Sequence, residues 1–188
     1  MYSVSDLRKG LKIEIDGDPY EVMDFQFVKP GKGQALYRCK IRNILNGGTI
    51  DKTYRAAEKI DKPNLMERDL SYSYPEGEHY VFIDDETYEQ VTVDEDQLGD
   101  RKFLLAEEMP VKILFHNDRP IEIALPNFVE KVILESEPGA RGDTATNVTK
   151  PAKIEGGYEI NVPLFVNEGD TVRIDTRTGK YADRVSKG

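Results

Sequence analysis

The chain has no tryptophan, one cysteine and two histidines among its 188 residues. A single cysteine excludes an internal disulfide framework. Cys39 stands in an alternating apolar stretch and reads as a small buried hydrophobe. His79 and His116 are far apart in sequence and lack the Cys/His spacing of a zinc site. No run approaches the roughly 18 apolar residues of a membrane span. The start, Met1-Tyr2-Ser3-Val4-Ser5-Asp6, has no basic stretch followed by an apolar one, so no signal peptide is expected. These absences predict a cytoplasmic protein with no membrane partner. Helical periodicity is also nearly missing.

Period-two alternation is what the chain does have. Leu11, Ile13 and Ile15 alternate with Lys12 and Glu14. Gly17-Asp18-Pro19 reads as the following turn. Tyr20 and Val22, then Phe25 and Phe27, continue the pattern, but the phase slips by one at Met23-Asp24. A β-bulge there restores the face and bends the strand. Tyr37, Cys39 and Ile41 alternate with Arg38, Lys40 and Arg42, giving one core face and one basic face. Asn46-Gly47-Gly48 is a strong turn signal, and 49–54 returns as a strand.

Further strands are expected at 70–74, 79–83, 88–93, 110–115, 120–125, 129–134, 159–162, 171–175 and 180–185. Asp94 to Gly99 suits one helical turn, with Asp94 as N-cap and Gly99 as C-cap. The span 137–153, rich in Gly, Pro, Thr and Asp, reads as loop. Ten Tyr and seven Phe suit half-buried strand faces. Many short strands with Gly/Pro turns predict an all-β protein of barrels or sandwiches. Segments of about 60 residues favour three small barrels, 1–63, 64–126 and 127–188.

The overall charge of −9 hides a strong asymmetry. Residues 1–63 carry 12 Lys+Arg against 9 Asp+Glu, net +3; 64–126 carry 5 against 16, net −11; 127–188 carry 9 against 10, net −1. Between Lys29 and Arg55 seven basic residues meet one acid, Asp51. Screening acts over about 8–10 Å, so a local basic stripe can bind phosphate on an acidic chain. Arg38, Lys40, Arg42 and Lys52 are its candidate RNA contacts. The same stripe is equally compatible with a solvated strand face.

One segment stands out: Lys29-Pro30-Gly31-Lys32-Gly33-Gln34-Ala35. Two glycines flank a lysine at the end of a predicted hairpin. Without side chains beside it, Lys32 stands clear and the backbone can approach another surface. Pro30 stiffens one arm. A nucleotide P-loop is excluded, because Gln34 follows Gly33 and no helix comes after.

Acidic groups such as Asp84-Asp85-Glu86 and Asp94-Glu95-Asp96 read as a turn and a helix cap, with no calcium-loop spacing. Arg141-Gly142-Asp143 and the sequon at Asn147 have meaning only outside the cell. No catalytic residue, metal ligand or cofactor is predicted.

The Lys32 segment resembles the tip loop of the bacterial elongation factor P family, and the likeness runs in order through the chain. Asp6-Leu7-Arg8-Lys9-Gly10-Leu11 is similar to the family's opening strand region, and Glu58-Lys59 to the end of its first domain. Leu125-Pro126-Asn127-Phe128-Val129-Glu130 resembles the entry to its third domain. Glu137-Pro138-Gly139-Ala140-Arg141-Gly142-Asp143-Thr144-Ala145 resembles a loop of that domain. Lys150, Ala152, Gly157, Ile160, Val162, Pro163, Val166 and Gly169 fit its C-terminal signature.

The resemblance implies an SH3-like or KOW-like barrel followed by two OB-fold barrels, in an L-shaped, tRNA-like outline. It implies a monomeric, non-enzymatic factor on the ribosome between the peptidyl and exit sites. Its partners there are the peptidyl-tRNA and ribosomal RNA, and its effect is to relieve stalling at consecutive prolines. It also implies an enzyme that modifies the tip lysine, Lys32. The rival reading is a general OB-fold RNA-binding protein, which needs aromatics stacked among basic residues on a barrel face.

Overall fold

The computed structural model describes residues 1–138 and 148–188. Arg141-Gly142-Asp143, Asn147 and most of the loop after Glu137 lie outside the described residues. The fold is all-β apart from one turn of α-helix and three short 3-10 segments among the described residues.

The first region contains β1 (Tyr2–Ser3), β2 (Lys12–Ile15), β3 (Asp18–Val28), β4 (Leu36–Asn43), β5 (Thr49–Arg55) and β6 (Lys59–Ile60). β2-β3-β4-β5 form an antiparallel meander, while β1 pairs with β6. Ile13, Val22, Cys39, Ile41 and Tyr54 fill its core together with Val4, Leu7, Leu11 and Ile60. Cys39 is 1% exposed, as its alternation predicts. Burial pushes the Tyr54 phenol up to about 12, so it stays protonated in this core.

The expected bulge is present: register slips between Val22 and Asp24, where Met23 is the extra residue. The expected turn at Gly17-Asp18-Pro19 sits one residue earlier. Asp16 and Gly17 take φ of 52° and 84°, and Asp18 already pairs with Ile15. Two consecutive left-handed residues match the twist of a tight hairpin, so Pro19 falls inside the strand.

The middle of the chain adds β7 (Leu65–Glu76), β8 (His79–Asp84), β9 (Gln90–Asp94), α1 (Glu95–Leu98), β10 (Pro110–His116) and β11 (Arg119–Ala124). They form a sheet of order β11-β10-β7-β8-β9. α1 has the predicted caps: Gln97 accepts from the Asp94 amide at 3.1 Å, and Gly99 ends the helix at φ 57°. The strand expected from Tyr88 begins two residues later, because Tyr88 is in a turn at φ 61°. Asp84 is the hinge of that turn. It accepts the amides of Glu86 (2.8 Å) and Thr87 (3.0 Å), which hold its carboxyl below the usual range despite burial.

The last region holds β12 (Phe128–Val132), β13 (Glu135–Ser136), β14 (Thr149–Lys153), β15 (Glu159–Pro163), β16 (Thr171–Asp175) and β17 (Lys180–Ser186). Two three-stranded sheets result, β12-β16-β17 and β13-β14-β15. The expectation of loop through Lys153 fails here: 149–153 is a strand paired on both sides. Lys150 and Pro151 obscured it, since one looks solvated and the other looks like a breaker. In the fold Lys150 points inward, 5% exposed, and its ammonium donates to the Glu137 carbonyl, while Pro151 faces out.

By contacts the described residues gather into two compact units, Met1–Glu67 with Ile113–Glu122, and Arg68–Lys112 with Ile123–Gly188. In the second unit Lys131 is buried and donates to the Leu105 carbonyl at 2.8 Å. Burial pulls its ammonium below the ordinary lysine range. Phe103 stacks on Tyr158 with ring centroids 5.0 Å apart.

Candidate functional site

Beyond the bulge at Met23, β3 and β4 pair as far as Val28 opposite Leu36, and residues 29–35 make the tip between them. Lys29, Pro30, Gly31, Lys32, Gly33 and Gln34 are all exposed. Among the described residues Lys29 and Lys32 take part in no hydrogen bond or ion pair.

Gly33 has φ 136°, a conformation that a side chain makes costly, so its glycine is explained by the turn. Gly31 differs. A Cβ there meets nothing within 4 Å and its φ is ordinary for any residue. The fold itself therefore gives no reason for glycine at 31.

The neck of the hairpin is aromatic. Phe27 and Tyr37 sit opposite each other, edge to face, with centroids 5.1 Å apart, and Phe27 is 54% exposed. Lys32 lies five positions beyond Phe27, a reach of at most about 18 Å. Sequence reasoning placed Phe27 on the core side of the strand. It missed that Phe27 stands half exposed beside a Tyr37 that is itself only partly buried, although β5 pairs with β4 as far as Leu36.

The basic stripe is less uniform than its sequence suggests. Arg38, Lys40 and Arg42 share the outer face of β4, as their spacing requires. Across the strands Arg38 lies opposite Gln26 and Thr53, Lys40 opposite Asp24 and Asp51, and Arg42 opposite Glu21 and Thr49. Arg42 donates to Glu21 at 2.7 Å. Asp24 also faces Lys9 at 3.8 Å.

Arg38 is left beside neutral neighbours, at the side nearest the tip. Together these residues line a shallow polar trough of about 520 Å³, containing Asp24, Gln26, Arg38, Lys40, Asp51 and Thr53. Lys52 belongs to the other face. It pairs with Cys39, and its ammonium lies 5.7 Å from the centre of the Tyr54 ring. The geometry therefore brings Lys29, Lys32 and Arg38 to one end of the hairpin and separates Lys52 from them.

No group of His, Cys, Asp or Glu among the described residues has the arrangement of a metal site. Nor is any helix among them long and apolar enough to cross a membrane. What the tip offers chemically is a mobile-stemmed positive charge with three donors, suited to a phosphate or hydroxyl on another molecule.

Comparison with known proteins places this hairpin in a family. The elongation factor P KOW-like domain matches residues 3–60, the elongation factor P OB domain 65–123, and the elongation factor P C-terminal domain 122–184. Elongation factor P of Desulforapulum autotrophicum is 51% identical over 187 residues, covering 100% of both chains. That of Desulfotalea psychrophila is 49% identical with the same coverage. Among solved structures, a translation initiation factor 5A from Methanococcus jannaschii shares the fold. Its TM-score is 0.58 at 22% identity, over 66% of this chain and 91% of that one. Matches to all the family's domains in order, and full-length relatives at about half identity, make this chain a member of the elongation factor P family, translation elongation factors rather than enzymes.

Proposed function

We propose that this chain binds the ribosome between the peptidyl and exit sites, beside the peptidyl-tRNA. There it speeds peptide-bond formation at consecutive prolines through Lys32. The observation that carries the reading is an exposed lysine without partners on a glycine-flanked tip. Proline reacts poorly because its ring restricts geometry. Ordering the end of the peptidyl-tRNA lowers the entropic part of the barrier, and the ribosome remains the catalyst. Lys32 acts by contact with phosphate or a 2′-hydroxyl, and Gly31 lets the tip backbone come close. Lys29 and Arg38 meet ribosomal or transfer RNA phosphate, while Arg42 and Lys40, balanced by Glu21, Asp24 and Asp51, contribute less.

The proposal includes a modifying enzyme that extends the Lys32 side chain, lengthening its reach and adding donors. It also includes cytoplasmic location, a monomeric state and the three-barrel division at 63 and 126.

The test is synthesis through a Pro-Pro-Pro stretch in a reconstituted translation system, with intact protein purified from its own cells, Lys32→Ala and no factor. Rescue by intact protein and not by Lys32→Ala is expected. Equal rescue by both removes Lys32 from the mechanism, and no rescue by either removes the function.

A further inference from the structure

The outer face of β12-β16-β17 carries an arrangement that the tip mechanism does not use. Phe128 pairs with Asp175 across the strands, and Arg173 and Arg177 stand two residues to either side of Asp175. Both guanidinium groups lie against the ring, 5.3 Å and 5.8 Å from its centre. Each is gripped along its edge by a carboxylate. Arg173 donates through Nε and a terminal nitrogen to Asp183, and Arg177 donates to Asp175 at 3.0 and 2.9 Å.

Edge-on pairing fixes a guanidinium while leaving its flat faces free to stack. Phe128 is 44% exposed although its neighbour Val129 is buried in the core. Arg177 lies in the loop between β16 and β17, the fourth and fifth strands when the successive β12 and β13 are counted as two halves of one strand, and OB barrels use that loop to hold oligonucleotides. Three flat groups in a row, two of them cationic, form the aromatic-among-basic surface that an RNA-binding barrel needs.

We infer that the Phe128–Arg173–Arg177 row is a stacking site for an unpaired RNA base. The inference rests on the reading that this chain works against RNA, but it does not depend on Lys32. Because Asp175, Asp183 and nearby Glu130 balance the arginines, the site draws a base by its π-face more than a phosphate by its charge. Binding there falls less with salt than a lysine-phosphate contact does.

The experiment is fluorescence anisotropy of a short labelled oligouridylate titrated with the full chain at two salt concentrations. The proteins are the parent, Phe128→Leu and Phe128→Trp. Phe128→Leu keeps an apolar side chain and is expected to weaken binding on the order of tenfold. Phe128→Trp is expected to keep it at the parent level.

Parent-level binding by Phe128→Leu overturns the site. So does a failure of Phe128→Trp to keep it, which marks Phe128 as structural only. Absence of parent binding to RNA also overturns it and leaves a protein partner for this face. None of these results touches the proline-stalling assay, so the two readings fail separately.

Discussion

Lysines in two regions of this molecule have opposite surroundings. Lys131 and Lys150, in the last barrel, are buried, and each donates to a main-chain carbonyl, of Leu105 and Glu137. Their stems pack and their charges are satisfied within the fold. Lys32, on the β3–β4 hairpin, is exposed and has no partner among the described residues. A lysine kept for stability has a reason visible in its own contacts. A lysine at a bare tip, beside a glycine that the backbone does not require, has no such reason within the fold. The comparison predicts that function and stability separate cleanly between the two regions.

The largest expected effect is on function. Lys32→Ala is expected to lower synthesis through Pro-Pro-Pro by about tenfold to a hundredfold, as loss of positioning does. Its midpoint in a urea melt is expected to equal the parent's. A shifted midpoint breaks the comparison, because the tip lysine then supports the fold.

Lys131→Ala is the converse. It leaves the Leu105 carbonyl without its donor and opens space where the stem packed, and about 2 kcal/mol of stability is expected to go. Lys131→Met keeps the stem and is expected to lose less. Urea unfolding measures both. A Lys131→Ala protein as stable as the parent means the buried lysine has no structural role after all.

Asp84 extends the comparison to carboxylates. Its folded pKa is lowered by the Thr87 and Glu86 amides. The stability it contributes is therefore present above the unfolded carboxylate value of about 3.9 and is lost as pH falls through the lower folded value. Asp84→Asn is expected to cost about 1 kcal/mol at neutral pH, because the amide oxygen still accepts the two N–H groups and only the part of their strength owed to the charge is lost. The gap between the two proteins is expected to close on acidification. Denaturant melts from neutral pH downwards check it, and a gap that stays constant with pH removes the charge from the account.

Much of this was legible because period-two patterns report faces locally. The bulge at Met23 followed from a slip in phase, and the α1 caps from Asp94 and Gly99. The tip followed from Gly-Lys-Gly between two alternating runs. What stayed hidden depends on distant partners. β14 hid behind Lys150 and Pro151, since a buried lysine is recognisable only once its carbonyl acceptor is placed. Lys52 read as part of one stripe until its pairing with Cys39 put it on the other face. The Phe128 row joins residues almost 50 positions apart, which no spacing rule connects. Identity of the family was carried by motifs, not by physics: composition alone left the basic stripe as plausible a solvated face as an RNA contact.

The smallest expected effect is also the sharpest test of the tip. Gly33→Ala forces a side chain into φ 136° and is expected to distort the loop, so lost activity there has a local cause. Gly31→Ala has no such cause, because its new Cβ meets nothing within 4 Å. On the isolated protein Gly31→Ala is expected to be neutral or stabilising by a few tenths of a kcal/mol, since alanine restricts the unfolded chain. If the tip backbone closes on another surface, the added methyl stands between them and rescue at Pro-Pro-Pro falls several-fold without loss of stability. If rescue is unchanged, only the Lys32 side chain reaches the partner, and Gly31 has a different origin. Measured side by side, the two glycine variants separate a requirement of the hairpin from a requirement of what the hairpin touches.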